Sequence, residues 1–309
     1  MLRHVLLTAS RSAGVRRAIE TAPLTRDVVR RFVAGQDVPA ALRVARALAD
    51  SGLRVSLDYL GENTHDRAQA DATREACVRL LNRLSTAGLT GAAEVSLKLS
   101  ALGQALPGDG PRIALDHAWK ICAAAAQYGT TITLDMEDHT TTDATLETLR
   151  ELRGDFPWVG AVLQAYLHRT EADCRDLATA GSRVRLCKGA YQEPGTVAFQ
   201  DPHAVDLSYV RCLKILMAGA GYPMVASHDP RLIEIAGTLA ARAERAPGSY
   251  EYQMLYGVRP NEQKRLAAAG EKVRVYVPYG DEWYGYLMRR LAERPANLAF
   301  FARAVMTRG

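Results

Sequence analysis

Residues 130–167, TTITLDMEDHTTTDATLETLRELRGDFPWVGAVLQAYL, contain the pattern that decides the fold. A short apolar run rich in β-branched residues, at 130–137, ends in acidic residues. A segment with leucines at helical spacing follows at 142–152, and a second apolar run occupies 159–167. Strand, helix and strand in this order predict two parallel strands joined by a crossover helix.

The same unit recurs along the chain. Eight apolar runs occur, at 54–60, 94–102, 130–137, 159–167, 183–191, 223–229, 250–257 and 272–280. Helical segments lie between them, at 66–87, 113–128, 142–152, 171–180, 206–220, 230–245 and 261–269. This alternation predicts an α/β fold, a closed (βα)8 barrel of the TIM type, with a doubly wound open sheet as the alternative. We expect residues 1–50 to form an N-terminal helical arm and residues 51–309 to form the catalytic barrel with a C-terminal helix.

Composition excludes several classes of protein. The chain has 309 residues, of which 48% are hydrophobic and 24% charged, with a net charge of +5. No stretch of 18 apolar residues is present, so no membrane-spanning helix is predicted. Five cysteines without a CxxC pair favour reduced thiols in a cytoplasmic protein over disulfides or a zinc cluster. The basic residues are spread without a long basic run, so nucleic-acid binding is not predicted.

The active site of a (βα)8 barrel lies at the carboxyl ends of its strands. Polar residues occupy these ends, namely Asp58, Lys98, Asp135 to Asp138, Gln164, Lys188 to Tyr191, Ser227 to Asp229, Tyr256 and Tyr279. A solvated rim would also be polar. It explains less well why four ionisable or polar residues lie inside apolar runs, where burial is costly unless the group is paired or binds a ligand. These four are Lys98, Asp135, Gln164 and Arg185. The set therefore predicts a functional site at the barrel mouth.

Two adjacent arginines follow the last strand. The segment 283–293, WYGYLMRRLAE, is predicted to be helical and to begin beside the mouth. Arginine grips a carboxylate through two parallel hydrogen bonds. Arg289 and Arg290 therefore predict a carboxylate-binding site, with a solvated helix face as the alternative. Glu293 lies one turn further on and can pair with either arginine.

Two other functions remain open on the residues alone. Asp135, His139 and His168 could serve a metal-dependent hydrolase, but the HxH and HExxH spacings are absent and no metal is predicted. A barrel that senses an amino acid without catalysis is the second alternative. No GxGxxG or P-loop motif is present, so any cofactor has to be held by groups at the barrel mouth.

Seven motifs, taken together and in order, resemble the proline dehydrogenase family. They are SLKLSALG (96–103), LDMED (134–138), VLQAYL (162–167), RVRLCKGAY (183–191), ASHD (226–229), YEYQMLYG (250–257) and YVPYG with YLMRRLAE (276–293). The likeness covers roughly residues 30–305, and the chain resembles the short, monofunctional bacterial type of the family.

The resemblance implies a reaction. The expected activity is FAD-dependent oxidation of L-proline to 1-pyrroline-5-carboxylate, the first step of proline catabolism to glutamate. FAD is expected to be held non-covalently and to take a hydride at flavin N5, and a quinone is the expected electron acceptor. The resemblance also implies a cytoplasmic protein that contacts the surface of the inner membrane transiently.

The resemblance also implies roles for individual residues. Arg185 is expected near flavin N5, and Asp135, paired with Lys98 or an arginine, is expected to complete the catalytic site. The other expected cofactor-binding residues are Met136, Gln164, Cys187, Lys188, Gly189, Ala190, Ser227 and His228. The expected substrate-binding residues are Lys98, Arg289, Arg290, Glu293, Tyr276 and Leu255. The chain departs from the family at Ser227, Asp229 and Cys187, where threonine, asparagine and an aliphatic residue are common.

Overall fold

The chain folds around a closed barrel of parallel strands. The computed structural model describes residues 25–61 and 64–287. Its strands are β1 Arg54–Tyr59, β2 Ala93–Leu97, β3 Ile132–Leu134, β4 Gly160–Gln164, β5 Arg183–Cys187, β6 Tyr222–Ala226, β7 Glu251–Leu255 and β8 Val273–Tyr279. Each strand pairs with the next, and β1 pairs with β8 from Arg54↔Arg274 to Tyr59↔Tyr279. The predicted barrel is confirmed, and the open sheet is wrong.

Helices precede the barrel and connect its strands. They are α1 Thr25–Phe32, α2 Val38–Asp50, α3 Arg67–Thr86, α4 Gly110–Tyr128, α5 Thr142–Asp155, α6 Thr170–Leu177, α7 Pro202–Ala218, α8 Pro230–Arg242 and α9 Pro260–Ala268. Aspartates start several of them, because a carboxylate accepts hydrogen bonds from the first free backbone N–H groups. Asp66 accepts from Gln69 N at 2.8 Å, and Asp229 accepts from Arg231 N at 3.0 Å. Within the described residues, no helix is long and apolar enough to cross a membrane.

The strands end earlier than the sequence pattern predicts. The predicted run 94–102 leaves the sheet after Leu97, and Ser100–Leu102 form a short 3-10 helix instead. The run 183–191 leaves it after Cys187, and Gly189 takes φ +112°, a conformation that is unfavourable for residues with a side chain. The sequence patterns were too long because their last residues form the loops at the mouth, where parallel pairing has stopped.

Polar and apolar residues alternate along the barrel strands. In β2, Ala93, Val95 and Leu97 belong to the apolar core, whereas Glu94 and Ser96 are buried among polar partners inside the barrel. Strand β8 repeats this arrangement with Arg274 between apolar neighbours. Parallel strands covered on both faces are usually apolar throughout. Here the alternation fills the barrel interior with charged and hydroxyl groups, and the apolar core lies between the sheet and the helices.

The chain before β1 packs against the barrel. Phe32 and Val33 share an apolar cluster with Leu60 and with residues 283–287, which form a helix after β8. Ala34 N donates to Pro278 O at 2.9 Å, and Gly280 N donates to Gly35 O at 2.9 Å. Residues 32–35 are therefore fixed to the carboxyl end of β8, beside the barrel mouth.

The loop after β7 also packs against α1, and we expect Gly257→Ala to loosen that contact. A Cβ at Gly257 would lie 1.8 Å from the backbone oxygen of Arg31, and the residue has φ +74°. Gly270→Ala is the matched control, because φ is +87° there and nothing lies within 4 Å of a Cβ. The control is expected to lower the free energy of unfolding by about 1 kcal/mol through backbone strain alone, and Gly257→Ala by about 2–4 kcal/mol. Urea denaturation measures both, and equal losses would contradict the contact.

Candidate active site

A cavity of about 670 Å³ lies at the carboxyl ends of the strands, within the usual size of a ligand site. The structure brings together around it thirteen of the residues singled out in the sequence, namely Lys98, Asp135, Met136, Gln164, Arg185, Cys187, Lys188, Gly189, Ala190, Ser227, His228, Leu255 and Tyr276. Arg289, Arg290 and Glu293 lie outside the described residues. Spatial convergence of residues from several strands is the geometry expected of a binding site at a barrel mouth.

Arg185 lies on the floor of the cavity and is only 5% exposed. Its Nη1 donates to Asp135 Oδ1 at 2.6 Å and to Ser96 Oγ at 3.1 Å. Its Nε donates to Gln253 Oε1 at 2.5 Å, and its Nη2 donates to Ser56 Oγ at 3.2 Å. All three nitrogens of the guanidinium therefore donate to an acceptor, which fixes the plane of the group.

Asp135 connects Arg185 to the cavity wall. Its second oxygen, Oδ2, accepts a hydrogen bond from Tyr276 OH at 2.7 Å. Burial raises the pKa of Asp135, although Arg185 and Lys98 oppose the shift. Burial and the neighbouring Asp135 raise the pKa of Tyr276 well above its usual value. The phenol therefore keeps its proton at neutral pH and acts as the donor of this pair. Of the two partners expected for Asp135, the structure selects an arginine, Arg185.

Lys98 pairs with a different carboxylate. Its Nζ lies 2.7 Å from both oxygens of Asp58, which is 2% exposed. Asp58 stands at the end of β1 and Lys98 just beyond the end of β2, and these strands are neighbours in the barrel. The sequence placed Asp58 at the mouth but did not identify it as the partner of Lys98. Pairing of neighbouring strand ends is the signal that could have found it.

The loop after β5 forms another wall. A Cβ at Gly189 would lie 2.4 Å from the ring of Tyr166, so only glycine allows this close approach. The Tyr166 backbone N–H donates to Lys188 O at 2.9 Å, and its hydroxyl donates to Glu193 Oε1 at 3.2 Å. Glu193 also binds the backbone N–H of His139 at 2.9 Å. The loop is thereby held to the ends of β3 and β4.

Gln164, at the end of β4, is 3% exposed. Its Nε2 donates to Glu137 O at 2.8 Å, which orients the side-chain amide at the cavity wall. At the ends of β6 and β7, His228 Nε2 accepts the backbone N–H of Leu255 at 2.9 Å, so its Nδ1 carries the ring proton. Ser227 Oγ accepts from Asp229 N at 3.1 Å. These contacts fix the orientation of polar groups that line the cavity.

Four charged residues meet at the rim of the cavity. Lys188 Nζ lies 2.5 Å from Asp206 and 3.5 Å from Asp229. Arg231 lies 2.8 Å from Asp229 and 3.0 Å from Asp206. The hydrogen bond from Arg231 is the main reason that the pKa of Asp229 is lowered to about 2. Asp229 is therefore ionised at neutral pH and neutralised by two cations.

The residues considered for a metal site have other partners. His139 Nδ1 pairs with Glu193 Oε2, and Asp135 pairs with Arg185 and Tyr276. His168 Nε2 lies 3.2 Å from Gly195 O, and its ring packs edge-on against Phe199. Across 25–61 and 64–287, no group of three or more His, Cys, Asp or Glu side chains is arranged to hold a metal ion.

Comparison with known proteins identifies the family. The family model for proline dehydrogenase matches residues 41–303. The chain belongs to the proline dehydrogenase family. It is 38% identical over 306 residues to proline dehydrogenase 1 of Bacillus subtilis (strain 168), covering 99% of each chain. It is 40% identical over 282 residues to the proline dehydrogenase of Deinococcus radiodurans, covering 91% of this chain and 90% of the relative.

A solved structure shows the same fold. Proline utilization A (PutA) from Bdellovibrio bacteriovorus, inactivated by N-propargylglycine, matches with a TM-score of 0.81 at 24% identity, over 94% of this chain and 36% of that one. The family predicted from the seven motifs is confirmed. As a member of the proline dehydrogenase family, the chain is an enzyme that oxidises proline.

Other residues of the cavity were not singled out as ligands from the sequence. Gln253, Met254 and Tyr286 line it beside the predicted set. Gln253 lies two positions before Leu255 in β7, and residues two apart share one face of a strand. Strand periodicity could therefore have found Gln253. Tyr286 reaches the cavity from the helix after β8, which the sequence placed beside the mouth without singling out this residue.

We expect Asp229→Asn to change the acid dependence of stability. Asparagine still caps α8 but does not ionise. Because the folded pKa of Asp229, about 2, lies below its ordinary 3.8, the ionised pair stabilises the fold above pH 3.8 and loses this contribution as pH falls toward 2. The parent should therefore be more stable than the variant near neutral pH, with a difference that shrinks in acid. Urea denaturation across this range measures it, and a constant difference would contradict the assignment.

Proposed function

We propose that the chain oxidises L-proline to 1-pyrroline-5-carboxylate with non-covalently bound FAD and passes the electrons to a quinone. The observation that carries the proposal is the single cavity around which thirteen predicted residues converge, with Arg185 on its floor. Membership of the proline dehydrogenase family gives the reaction class. The cofactor, the electron acceptor and the residue roles are our proposals.

The cavity suits FAD by its chemistry. Met136, Val162 and Met254 supply apolar surface for a flat ring system, and Gln164 supplies a hydrogen-bonding amide. Lys188 and His228 supply polar groups on the rim, suited to the anionic and ribose parts of a dinucleotide. We propose that Met136, Gln164, Arg185, Cys187, Lys188, Gly189, Ala190, Ser227 and His228 hold the cofactor. When bound, FAD would supply the two-electron acceptor. Its N5 would take a hydride from the ring carbon that lies next to nitrogen and does not bear the carboxylate.

The balance of charges at the mouth supports a carboxylate clamp, meaning a set of cations that binds the substrate carboxylate, formed in part by residues further along the chain. Lys98 is matched by Asp58, and Arg185 is matched by Asp135. A substrate carboxylate needs additional positive charge, since Lys98 and Arg185 already face Asp58 and Asp135. We propose that Arg289 and Arg290 supply it, with Glu293 orienting them. Lys98 would be the third cation of the clamp, and Tyr276 and Leu255 would contact the proline ring.

The ring nitrogen has to be neutral to donate electrons as the hydride leaves. Tyr276 is a proton donor to Asp135, and Asp135 already accepts from Arg185. Both oxygens of this carboxylate are therefore engaged, and neither group is free to act as a strong base. We propose that the amine loses its proton to solvent, while the site positions the neutral form.

The proposed division of the chain is an N-terminal helical arm at 1–50 and a catalytic barrel with its C-terminal helix at 51–309. Within the arm, Ala41 and Ala45 of α2 are fully buried in the core cluster shared with the barrel strands. The arm would thus pack against the barrel and stabilise it. We propose a cytoplasmic protein that touches the surface of the inner membrane only while it delivers electrons to the quinone.

Anaerobic titration tests the proposal. The purified protein should be yellow, release FAD on denaturation, and lose its flavin absorbance when L-proline is added without oxygen. D-Proline and hydroxyproline are the comparison substrates, and a soluble quinone should restore the oxidised spectrum. A colourless protein that does not bind added FAD, or a flavin that L-proline leaves oxidised, would reject the proposal.

Two arginine variants should separate the proposed clamp from the proposed flavin contact. Arg289→Met is expected to weaken proline binding by about 2–5 kcal/mol, the usual effect of truncating one partner of a buried charge pair. Arg185→Met is expected to change the flavin potential more than the affinity for proline. Steady-state KM and a redox titration of the bound flavin measure the two effects. The reverse pattern would contradict both assignments.

A further inference from the structure

Arg185 is held by hydrogen bonds that continue from the mouth to the base of the barrel. Its Nε donates to Gln253 Oε1 at 2.5 Å, and Gln253 Nε2 donates to Glu251 Oε1 at 2.6 Å. Arg274 Nε donates to the same oxygen of Glu251 at 2.6 Å. Tyr222 OH donates to Glu251 Oε2 at 3.0 Å. Gln253 is thus the one side chain of this series that contacts both Arg185 and Glu251.

Each hydrogen bond of this series can form in one sense only, with one group as donor and the other as acceptor. Burial raises the pKa of Glu251, but Arg274 and the hydrogen bond from Gln253 together outweigh burial and the net shift is downward, so the carboxylate is ionised and only accepts. The nitrogen of the Gln253 amide has to face it. The amide oxygen then has to face Arg185, whose Nε–H is a donor that never deprotonates in proteins. Glu251 therefore sets the orientation of Gln253.

We propose that Gln253 is a positioning residue for Arg185, and that its amide, oriented by Glu251, fixes the guanidinium plane that the flavin meets. Gln253 is 3% exposed and Glu251 is fully buried, so no solvent competes for these bonds. Loss of the Gln253 oxygen would leave Arg185 Nε without its acceptor. Asp135, Ser96, Ser56 and Glu94 contact only the two terminal nitrogens, and the group could then rotate about them. The consequence for the flavin rests on the proposed function.

Gln253→Met tests the contact with little change in volume. Gln263→Met is the matched control, because Gln263 is also 3% exposed and its Nε2 donates to two carbonyls, Leu255 O at 3.1 Å and Val258 O at 2.9 Å. Both variants lose two hydrogen bonds of a buried amide, and Gln253→Met should lose more stability because its two partners are charged. Only Gln253→Met should affect Arg185, so stability and positioning are separated.

Gln253→Glu is the rescue variant. One oxygen of the new carboxyl can accept from Arg185 Nε. Two carboxyls this close do not both ionise, so a proton stays between Glu251 and the new side chain. The retained O–H takes the place of the amide N–H, and the direction of the series is preserved. This variant should keep Arg185 in position, which a purely steric account of Gln253→Met does not predict.

Two measurements on the full chain decide the proposal. In the flavin-free protein, NMR of ¹⁵N-arginine should show a protected Arg185 Nε–H signal, assigned with Arg185→Lys. The signal should vanish in Gln253→Met and persist in Gln263→Met and Gln253→Glu. In the FAD-loaded protein, Gln253→Met should lower kcat by about tenfold or more with KM within about twofold, as expected for misorientation by a fraction of an ångström, and should shift the flavin potential.

Each outcome has one meaning. A protected Arg185 signal in Gln253→Met would overturn the positioning role. A lost signal with unchanged kcat and potential would overturn its consequence for the flavin. A parent protein that neither binds FAD nor oxidises proline would reject the proposed function, and the NMR comparison would still decide whether Gln253 holds Arg185.

Discussion

A charged side chain inside the barrel is stable only beside an opposite charge, and the rest of the structure depends on this requirement. Removing an ion from water costs several kcal/mol unless partners replace the solvent. Glu94, 1% exposed, lies 2.5 Å from Arg183, 3.5 Å from Arg185 and 3.7 Å from Arg274. These residues come from β2, β5 and β8. Since a slip of one residue would turn a strand's inward side chains outward, the pairing also specifies the register of the barrel.

The same pairing separates the base of the barrel from its mouth. Burial raises the pKa of Glu94, but its arginines outweigh it and the net shift is downward. At the mouth, burial dominates, and the pKa of Asp135 is raised. The base is thus a set of fixed ions, whereas Asp135 shares Arg185 with Glu94 and Gln253.

The sequence predicted the barrel because strand number and alternation are local patterns. It placed most of the cavity residues because strand ends converge in this fold, whereas Cys187, Leu255 and Tyr276 were expected only from the resemblance to the family. It did not predict the partners. Lys98 meets Asp58 across neighbouring strands, and Asp135 meets Arg185 across the barrel. The adjacency of strand ends could have indicated the first pair, but the second depends on the curvature of the closed sheet, which no window of sequence contains. The apolar cluster that Phe32 shares with Trp283 and Leu287 joins distant parts of the chain and is not visible locally either.

Stability does not explain why the interior is ionic. Layers of branched apolar side chains usually fill such barrels, and buried ion pairs contribute little more than apolar groups of equal volume. The need for buried partner charges starts with one arginine at the mouth. Arg185 needs acceptors, and Glu94 and Gln253 provide them. Glu94 in turn needs cations, which are Arg183 and Arg274, and Arg274 is neutralised by Glu251. On one side this sequence of paired charges ends at Arg183, whose side chain is 13% exposed and is therefore partly solvated. The charged interior is therefore one connected set of paired groups that holds the guanidinium of Arg185 in one orientation at the barrel mouth.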